Sequence, residues 1–291
     1  MMSTTVQQPA TTPIPVQLSE PEFEAFIFPH LSMSKRGPKC KLGYHRLFNL
    51  ILWVLYTGMP WKGLPIPKDV TGTPAIHDTN VYRAFAKWAD DGSLQKAFMA
   101  SVGHLAAEKP LDVSVLHGDG TNTVAKKGGD GIGYSGYKHQ KGENVIAITD
   151  NNGYVLSPLP VAPVNETDMV LLPDGLKALK RVANATDLVL TDAYLNLDAG
   201  FDSTYHRQCM FNAGMIPNIT ENSRNRKRTK RGRKRLFNEA IHALRTRVDR
   251  TLAWEDTFKR LLLRFEHMQQ RHFGMKLMAY TLINVREFCG A

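Results

Sequence analysis

Cysteine is scarce in this sequence of 291 residues. The three cysteines, Cys40, Cys209 and Cys289, lie far apart, and none belongs to a Cys-x-x-Cys pair or to a Cys/His spacing typical of zinc sites. An odd number of cysteines also argues against a framework of disulfides. The sequence therefore excludes the disulfide-rich and zinc-finger classes, and it fits a reducing cytosol.

Long apolar runs and acidic residues are also lacking. No run approaches the roughly 20 apolar residues of a membrane span. Residues 1–16 are rich in Thr, Pro and Gln and lack the order of a secretion signal, so we expect a disordered tail there. The 27 Asp and Glu residues are outnumbered by 37 Lys and Arg residues, which gives a net charge of +10. An anionic partner is therefore expected, and nucleic acid is the commonest one.

Residues 17–108 have the periodicity of several helices. Ser19-Glu-Pro-Glu22 has the capping-box spacing that opens a helix. The stretch from Leu47 to Leu55 is apolar nearly all round and predicts a buried helix. Further helices are predicted from Asp78 to Trp88 and from Leu94 to Ala107. Short helices separated by Gly and Pro suit an N-terminal helix-turn-helix-like DNA-binding domain, although a plain helical bundle fits the periodicity equally well.

The pattern changes after residue 108. Val113 to His117 alternates in polarity and leads to Asp119, which predicts a strand that ends on an acid. Two further strands are predicted at Asn144–Thr149 and Tyr154–Leu159, joined by a hairpin turn. A glycine-rich loop at residues 126–136 lacks the order of a phosphate-binding P-loop, which argues against a nucleotide site.

The remaining pattern alternates helices with strands. A helix is predicted from Thr167, and the extended stretch Tyr194–Leu197 ends on Asp198. A helix and a short strand follow, and a long helix is predicted from Leu236 to His272. This order of strands and helices is ribonuclease H-like, with the first and fourth strands side by side at the sheet centre. We predict an α/β fold with a mixed five-stranded sheet for a catalytic domain at residues 109–291.

Residues 221–235 are exceptionally basic, and no acid balances the run that begins at Arg224. Such a density binds phosphates through counterion release whatever the base sequence. The alternative is a solvated or disordered segment without a partner. The basic side chains predicted to contact DNA are Arg224, Arg226, Lys227, Arg228, Lys230, Arg231, Arg233, Lys234, Arg235, Arg245, Lys259 and Arg260.

Three acids form the candidate site. Asp119 and Asp198 each follow a strand and would be neighbours, and the helix that carries Asp249 would pack beside them. Three close carboxylates repel one another unless a cation neutralises them. Oxygen ligands suit Mg²⁺ or Mn²⁺ rather than zinc, and two such ions can support phosphodiester transfer.

Each acid also has a simpler explanation. Asp119 and Asp198 could begin turns. Asp249 could form an i,i+4 ion pair with Arg245, worth a few tenths of a kcal/mol. For each acid alone the simpler explanation is the better one. The combination of two acids at strand ends, one on a helix and a basic segment favours the metal site.

Several motifs are similar to those of a known family. His117-Gly-Asp-Gly-Thr121 with Lys127-Gly-Gly129 is similar to its first-acid motif. Leu197-Asp-Ala-Gly-Phe-Asp-Ser203 is similar to its second, and Arg247-Val-Asp-Arg-Thr-Leu-Ala-Trp254 to its third. Over about residues 47–288 the chain thus resembles transposases of the IS5 insertion-sequence family, part of the IS4/IS5 group of DDE transposases.

The resemblance implies a DNA transposase that cleaves and transfers the strands of an insertion sequence. It implies Asp119, Asp198 and Asp249 as catalytic ligands of two Mg²⁺ or Mn²⁺ ions. The implied partner is double-stranded DNA, both the terminal inverted repeats of the element and the target. The resemblance further implies a homodimer on DNA in a prokaryotic cytoplasm, associated with the nucleoid.

The sequence departs from the family pattern at three positions. The third acid is usually Glu, and Asp249 is one methylene shorter. The family spacing of Tyr, Arg, acid and Lys corresponds here to His242, Arg245, Asp249 and Asp256. The departures leave two alternatives open, a catalytically inactive DNA-binding relic and a helix-turn-helix regulator.

Overall fold

The computed structural model describes residues 12–33, 40–108, 111–158, 161–166, 168–222 and 235–290. Within them, the chain folds into α-helices that pack around one mixed β-sheet. In chain order the helices and longer strands are α1 (Glu20–Phe26), α2 (Tyr44–Thr57), α3 (Asp78–Asp90), α4 (Ser93–Glu108), β1 (Val115–Ala125), β2 (Gly133–Ser135), β3 (Gln140–Thr149), β4 (Val155–Pro158), β5 (Ala162–Pro163), α5 (Asp168–Ala185), β6 (Tyr194–Leu197), α6 (Thr204–Asn212), β7 (Ile216–Ile219), α7 (Glu239–Ala243), α8 (Thr246–Glu255), β8 (Leu263–Arg264) and α9 (Gln269–Val285).

The four N-terminal helices form where the sequence predicts them. Ser19 caps α1, and the reciprocal bond from its backbone N–H to Glu22 completes the capping box. Helix α2 ends at Gly58, whose left-handed φ of 72° is a conformation that glycine adopts without steric cost. Helix α3 buries Phe85 and Trp88 on one face. Among the described helices, none has the length and hydropathy needed to cross a bilayer.

The sheet confirms the predicted α/β class and the predicted neighbours. Its main strand order is β2-β3-β1-β6-β7, with β4 and β5 also paired to β3 and β8 paired to β1. Strand β1 runs antiparallel to β3 and parallel to β6, and β6 runs parallel to β7. The first and fourth predicted strands, β1 and β6, therefore lie side by side in the middle of the sheet.

Three details of the predicted sheet are wrong. Within the described residues the sheet has eight strands rather than five. Strand β1 does not end at Asp119 but continues to Ala125, since its second half pairs with Gly142–Ala147 of β3. The glycine-rich stretch after β1 contributes the short strand β2 instead of a continuous loop. Short strands with glycine and polar residues have little hydrophobic alternation, so periodicity did not reveal them.

The long helix predicted from Leu236 to His272 is also wrong. The chain forms the short helices α7 and α8, then a 3-10 turn at Lys259–Leu261 and the strand β8, before α9 begins. Leu261 and Arg264 are buried, so the apolar spacing that suggested one helix comes from side chains on separate elements. Helix α9 begins at Gln269, so only the last residues of the predicted helix, up to His272, belong to it.

Helix α9 is the central element of the core. It packs against α3, α4 and α8, and every residue from Gly274 to Val285 is buried. A Cβ atom on Gly274 would lie 2.8 Å from the Cβ of Ala89, so glycine is needed where α9 approaches α3. The hydrophobic core is consequently continuous across the domain boundary predicted near residue 108.

Residues 1–11 of the predicted N-terminal tail, which spans residues 1–16, lie outside the described residues. From residue 12 the chain has a defined place, because the Thr12 hydroxyl donates a hydrogen bond of 3.0 Å to Glu287. Thr12, within the predicted tail, therefore contacts the C-terminal part of the chain.

Candidate functional site

The sheet brings the first two acids to one face. His117 of β1 is the parallel partner of Asn196 in β6. Asp119 and Asp198 each come two residues after this pair, and side chains two residues apart along an extended chain lie on the same face. Helix α8, which carries Asp249, contacts β1. Residues that are distant in the sequence thus approach one another near the centre of the sheet.

Asp119 is in electrostatic contact with the other two acids. Burial raises the pKa of its carboxyl group, while Arg245 and a hydrogen bond from the Gly120 N–H oppose the rise. The negative charges of Asp198 and Asp249 raise the same pKa further. The Arg245 guanidinium lies 3.1 Å from Asp119 Oδ2 and is the basic group paired with it in the described structure. Two neighbouring carboxylates and one arginine therefore act on Asp119 together.

Asp198 also has a local structural role. It precedes a 3-10 turn at Ala199–Phe201, and its Oδ1 accepts a hydrogen bond of 2.8 Å from the Gly200 N–H. A Cβ atom on residue 200 would lie 2.9 Å from that oxygen, so the glycine allows the close approach. The turn explanation considered for Asp198 is therefore confirmed, and it holds the carboxylate at the end of β6.

Asp249 lies in the first turn of α8, where the helix dipole favours an acid. The i,i+4 ion pair with Arg245, considered as its simpler explanation, is not formed in the described structure, since the Arg245 guanidinium crosses to Asp119 on the sheet. Arg245 therefore links the start of α8 to β1.

Helix α8 is held on the sheet by the turn between β3 and β4. Arg247 donates to the carbonyl oxygen of Asn151, and Arg250 donates to that of Asn152 at 3.3 Å. The Thr251 hydroxyl donates to the carbonyl oxygen of Gly153 at 2.9 Å. The confirmed hairpin turn thus acts as a docking point for the helix of the third acid, a role that the sequence did not reveal.

The two departures from the family spacing lie in different surroundings. Burial lowers the pKa of His242, with a further contribution from Arg245, while Asp198 raises it, so this imidazole belongs to the neighbourhood of the acids. Asp256 caps the far end of α8. Burial raises its pKa, and the adjacent Glu255 adds to the rise. His242 therefore lies near Asp198, whereas Asp256 is exposed at the C-terminal end of α8.

The predicted DNA-contacting side chains fall into two groups. Those from Arg224 to Lys234 lie outside the described residues. Arg235 pairs with Asp202, and the exposed Lys259 donates to a backbone carbonyl oxygen of its own turn. Arg260 is buried, with its guanidinium 2.7 Å from Glu266, so the prediction of a DNA contact there is wrong in this conformation.

The fit to a metal ion depends on the chemistry of the donors. Asp119, Asp198 and Asp249 offer only oxygen ligands, which suits Mg²⁺ or Mn²⁺. Within the part of the chain that the structure describes, no three His, Cys, Asp or Glu side chains converge closely enough to hold an ion as they stand. Because Arg245 occupies Asp119, an ion bound there would replace this pair as the source of positive charge.

No family model, no curated protein and no solved structure gives a significant match to the chain.

Proposed function

We propose that the protein is a DDE-type DNA transposase that cleaves and joins DNA strands with divalent metal ions. One observation carries the proposal. Asp119 and Asp198 each lie two residues after the paired His117 and Asn196 of adjacent parallel strands, and the helix that carries Asp249 contacts β1. Carboxylates that repel one another in a partly buried place favour the binding of a cation.

The order of the strands supports the same proposal. A central strand with an acid, flanked by an antiparallel strand and by a parallel one whose end carries the second acid, suits a ribonuclease H-like nuclease. In this proposal Asp119, Asp198 and Asp249 hold two Mg²⁺ or Mn²⁺ ions. Those ions would activate the attacking oxygen and stabilise the leaving oxygen in phosphodiester transfer.

The protein residues supply position and charge. The turn at residues 151–153 holds α8, and therefore Asp249, against the sheet. The basic residues predicted between Arg224 and Arg235, together with Lys259, would bind the phosphate backbone without reading the bases. The four N-terminal helices are the proposed helix-turn-helix-like DNA-binding domain. Two DNA ends must meet for transposition, so we also propose a homodimer on DNA.

A second candidate is a DNA-binding protein that has lost cleavage. It is favoured by the ion pair between Arg245 and Asp119 and by the shorter side chain of Asp249 at the position of the usual glutamate. Such a protein would bind DNA in a salt-sensitive way and would leave strands intact with every divalent metal.

The test is a cleavage assay on a plasmid that carries the gene with its flanking DNA. We expect nicks or breaks at the element ends with Mg²⁺ or Mn²⁺ and none with EDTA. Asp119→Asn and Asp198→Asn should lower the cleavage rate by about 10²–10³-fold or more, as loss of a preorganised electrostatic group does. Asp174→Asn, in an exposed pair with Lys177 on α5, is the matched control and should cleave normally.

Asp249→Glu distinguishes the two candidates. In an active enzyme it should preserve or raise cleavage, because it restores the usual length of the third acid. A large loss of cleavage in Asp249→Glu would remove Asp249 from the site. Full cleavage by Asp119→Asn would overturn the proposal, and salt-sensitive DNA binding without any cleavage by the unmodified protein would establish the second candidate.

A further inference from the structure

A row of buried polar side chains crosses the sheet next to the acids. His117 of β1, Asn196 of β6 and Asn218 of β7 are partners in adjacent strands, and each is at most 1% exposed. Buried polar side chains in the middle of a sheet are costly unless their hydrogen bonds are satisfied. We call these three residues the buried polar row. Their bonds show what the row connects.

Asn196 is bonded on every side. Its Nδ2 donates to the carbonyl oxygen of Ile241 at 2.8 Å and lies 3.3 Å from His117 Nδ1. Its Oδ1 lies 3.2 Å from both Asn218 Nδ2 and His242 Nδ1. Because the bond to a carbonyl oxygen identifies Nδ2 as the donor, His117 must accept and His242 must donate. One side chain thus joins β1, β6 and β7 to α7.

Asn218 fixes the beginning of α7. Its Oδ1 accepts a hydrogen bond of 2.7 Å from the backbone N–H of Asn238, and its Nδ2 donates to the carbonyl oxygen of the same residue at 3.1 Å. Asn238 in turn caps α7 through its own side chain. The strand β7 and the first residue before α7 are therefore joined by two hydrogen bonds.

The other end of the row reaches the turn that docks α8. His117 Nε2 lies 3.1 Å from Asn151 Oδ1, and the Asn151 carbonyl oxygen accepts from Arg247. Asn151 Nδ2 donates to Asp112. The chain of bonds therefore begins at α7, crosses three strands and ends beneath α8.

We propose that Asn196 and Asn218, together with His117, are positioning residues for the reaction. They set where α7 and α8, and with them Asp249 and Arg245, lie relative to Asp119 and Asp198. The inference deepens the proposed function, on which it rests. A fully satisfied polar network fixes one geometry, whereas apolar contacts can slide, and small displacements of catalytic groups are costly in rate.

The test measures Mn²⁺ affinity of the full-length protein without DNA, by isothermal titration calorimetry. Asn218→Leu should weaken Mn²⁺ binding by about 10–100-fold, as loss of an outer-shell partner of metal ligands does. The matched control is Asn284→Leu. Asn284 is also fully buried and bonded to backbone on both sides, through Val155 N and O, but it lies on α9. The Asn284→Leu substitution should lower the melting temperature about as much as Asn218→Leu does and leave Mn²⁺ affinity unchanged.

A second measurement keeps the inference separate from the proposed function. Amide hydrogen exchange should become faster in residues 239–255 of Asn218→Leu, and in Asn284→Leu it should not. If the unmodified protein binds no Mn²⁺ while this local exchange is faster, the proposed function fails and the positioning of α7 and α8 stands. Equal Mn²⁺ affinity and equal exchange at residues 239–255 in the two variants would overturn the inference.

A milder variant covers the case in which Asn218→Leu does not fold. Asn238→Ala removes the exposed cap of α7 and leaves the buried polar row itself intact. We expect the same direction of change in Mn²⁺ affinity and in exchange, at several-fold rather than 10–100-fold. No change in either measurement would count against the inference.

Discussion

Two groups of acids lie in this protein, and the positive charge around them differs. Glu143 of β3 and Glu266, just after β8, are buried with Arg260 and Arg264. Arg264 lies 2.7 Å from Glu143, and Arg260 lies 2.7 Å from Glu266. His272 of α9 lies between the two glutamates, with its nitrogens 3.3 and 3.7 Å from their oxygens. In this cluster each carboxylate has its own arginine.

The acids of the candidate site have fewer basic side chains around them than Glu143 and Glu266 have. The charges of Asp198 and Asp249 both raise the pKa of Asp119, and Arg245 is the cation that pairs with Asp119. This group is also less deeply buried, since the Asp119 side chain is 25% exposed. The comparison shows that Glu143 and Glu266 each have a paired arginine, whereas among the three site acids of the described structure Arg245 pairs with Asp119 alone. A divalent ion would supply the charge that is missing.

The largest effect is expected in the neutralised cluster. Arg264→Met leaves Glu143 buried without its arginine, and breaking a buried pair by removing one partner costs roughly 3–5 kcal/mol of stability. Urea unfolding should show this loss in the free energy of unfolding, whereas Mn²⁺ affinity should stay the same.

Asp249→Asn is the contrasting change. It removes one of three repelling carboxylates, so its free energy of unfolding should differ from that of the unmodified protein by less than about 1 kcal/mol. If Arg264→Met proved as mild, the two groups of acids would not differ in the way that the contacts indicate.

A buried acid whose hydrogen bonds come from backbone N–H groups sharpens the comparison. Asp150 is fully buried and accepts hydrogen bonds from backbone N–H groups of Asp112, Asn152 and Tyr154. Burial raises the pKa of its carboxyl group to about 6. Between about pH 4 and 6 the unfolded chain is ionised at this position and the folded chain is protonated. Stability should therefore fall as the pH rises, by about 3 kcal/mol from this group.

The measurement is the free energy of unfolding across pH 4–7 for the unmodified protein and for Asp150→Asn, which cannot titrate at this position. As the pH rises, the free energy of unfolding of the unmodified protein should fall relative to that of Asp150→Asn. A constant difference would mean that the backbone N–H donors keep Asp150 ionised in spite of its burial.

The sequence predicted the middle of the sheet well, and the reason is physical. Short extended stretches at β3 and β4 and the polar turn between them identify a hairpin, which is confirmed. The stretch Tyr194–Leu197 and its pairing beside β1 were also predicted correctly. These strands are buried on both faces, with eight consecutive buried residues from Gly142 to Thr149 in β3, so they stand out as short apolar runs in the sequence.

The parts that failed depend on distant contacts. Arg260 looks like a surface cation in the sequence, and only the fold places Glu266 against it. The break between α7 and α8 lies where two residues of this segment form hydrogen bonds to the sheet. Ile241 accepts from Asn196, and Arg245 donates to Asp119. Asn196 and Asn218 carried no signal for a site, because single polar residues in apolar strands resemble ordinary surface positions until their partners are known.

The smallest change in stability is expected where the positive charge of the site is removed. The pair of Arg245 with Asp119 is partly exposed, and such pairs are worth about 0–1 kcal/mol. Arg245→Met should therefore barely alter the free energy of unfolding. The same substitution that costs several kcal/mol at Arg264 would then be tolerated here, although both arginines pair with a carboxylate.

Unlike the free energy of unfolding, the affinity of Arg245→Met for Mn²⁺ should change strongly. Without Arg245 the three acids have no competing cation, so Mn²⁺ should bind at least about tenfold more tightly, since a unit charge about 4 Å away contributes roughly 4 kcal/mol at an effective dielectric of 20. Calorimetry with Mn²⁺ checks this, with Arg271→Met as the control, because Arg271 pairs with Asp90 away from the acids. Weaker Mn²⁺ binding by Arg245→Met would show that the arginine organises the acids rather than standing in for the ion.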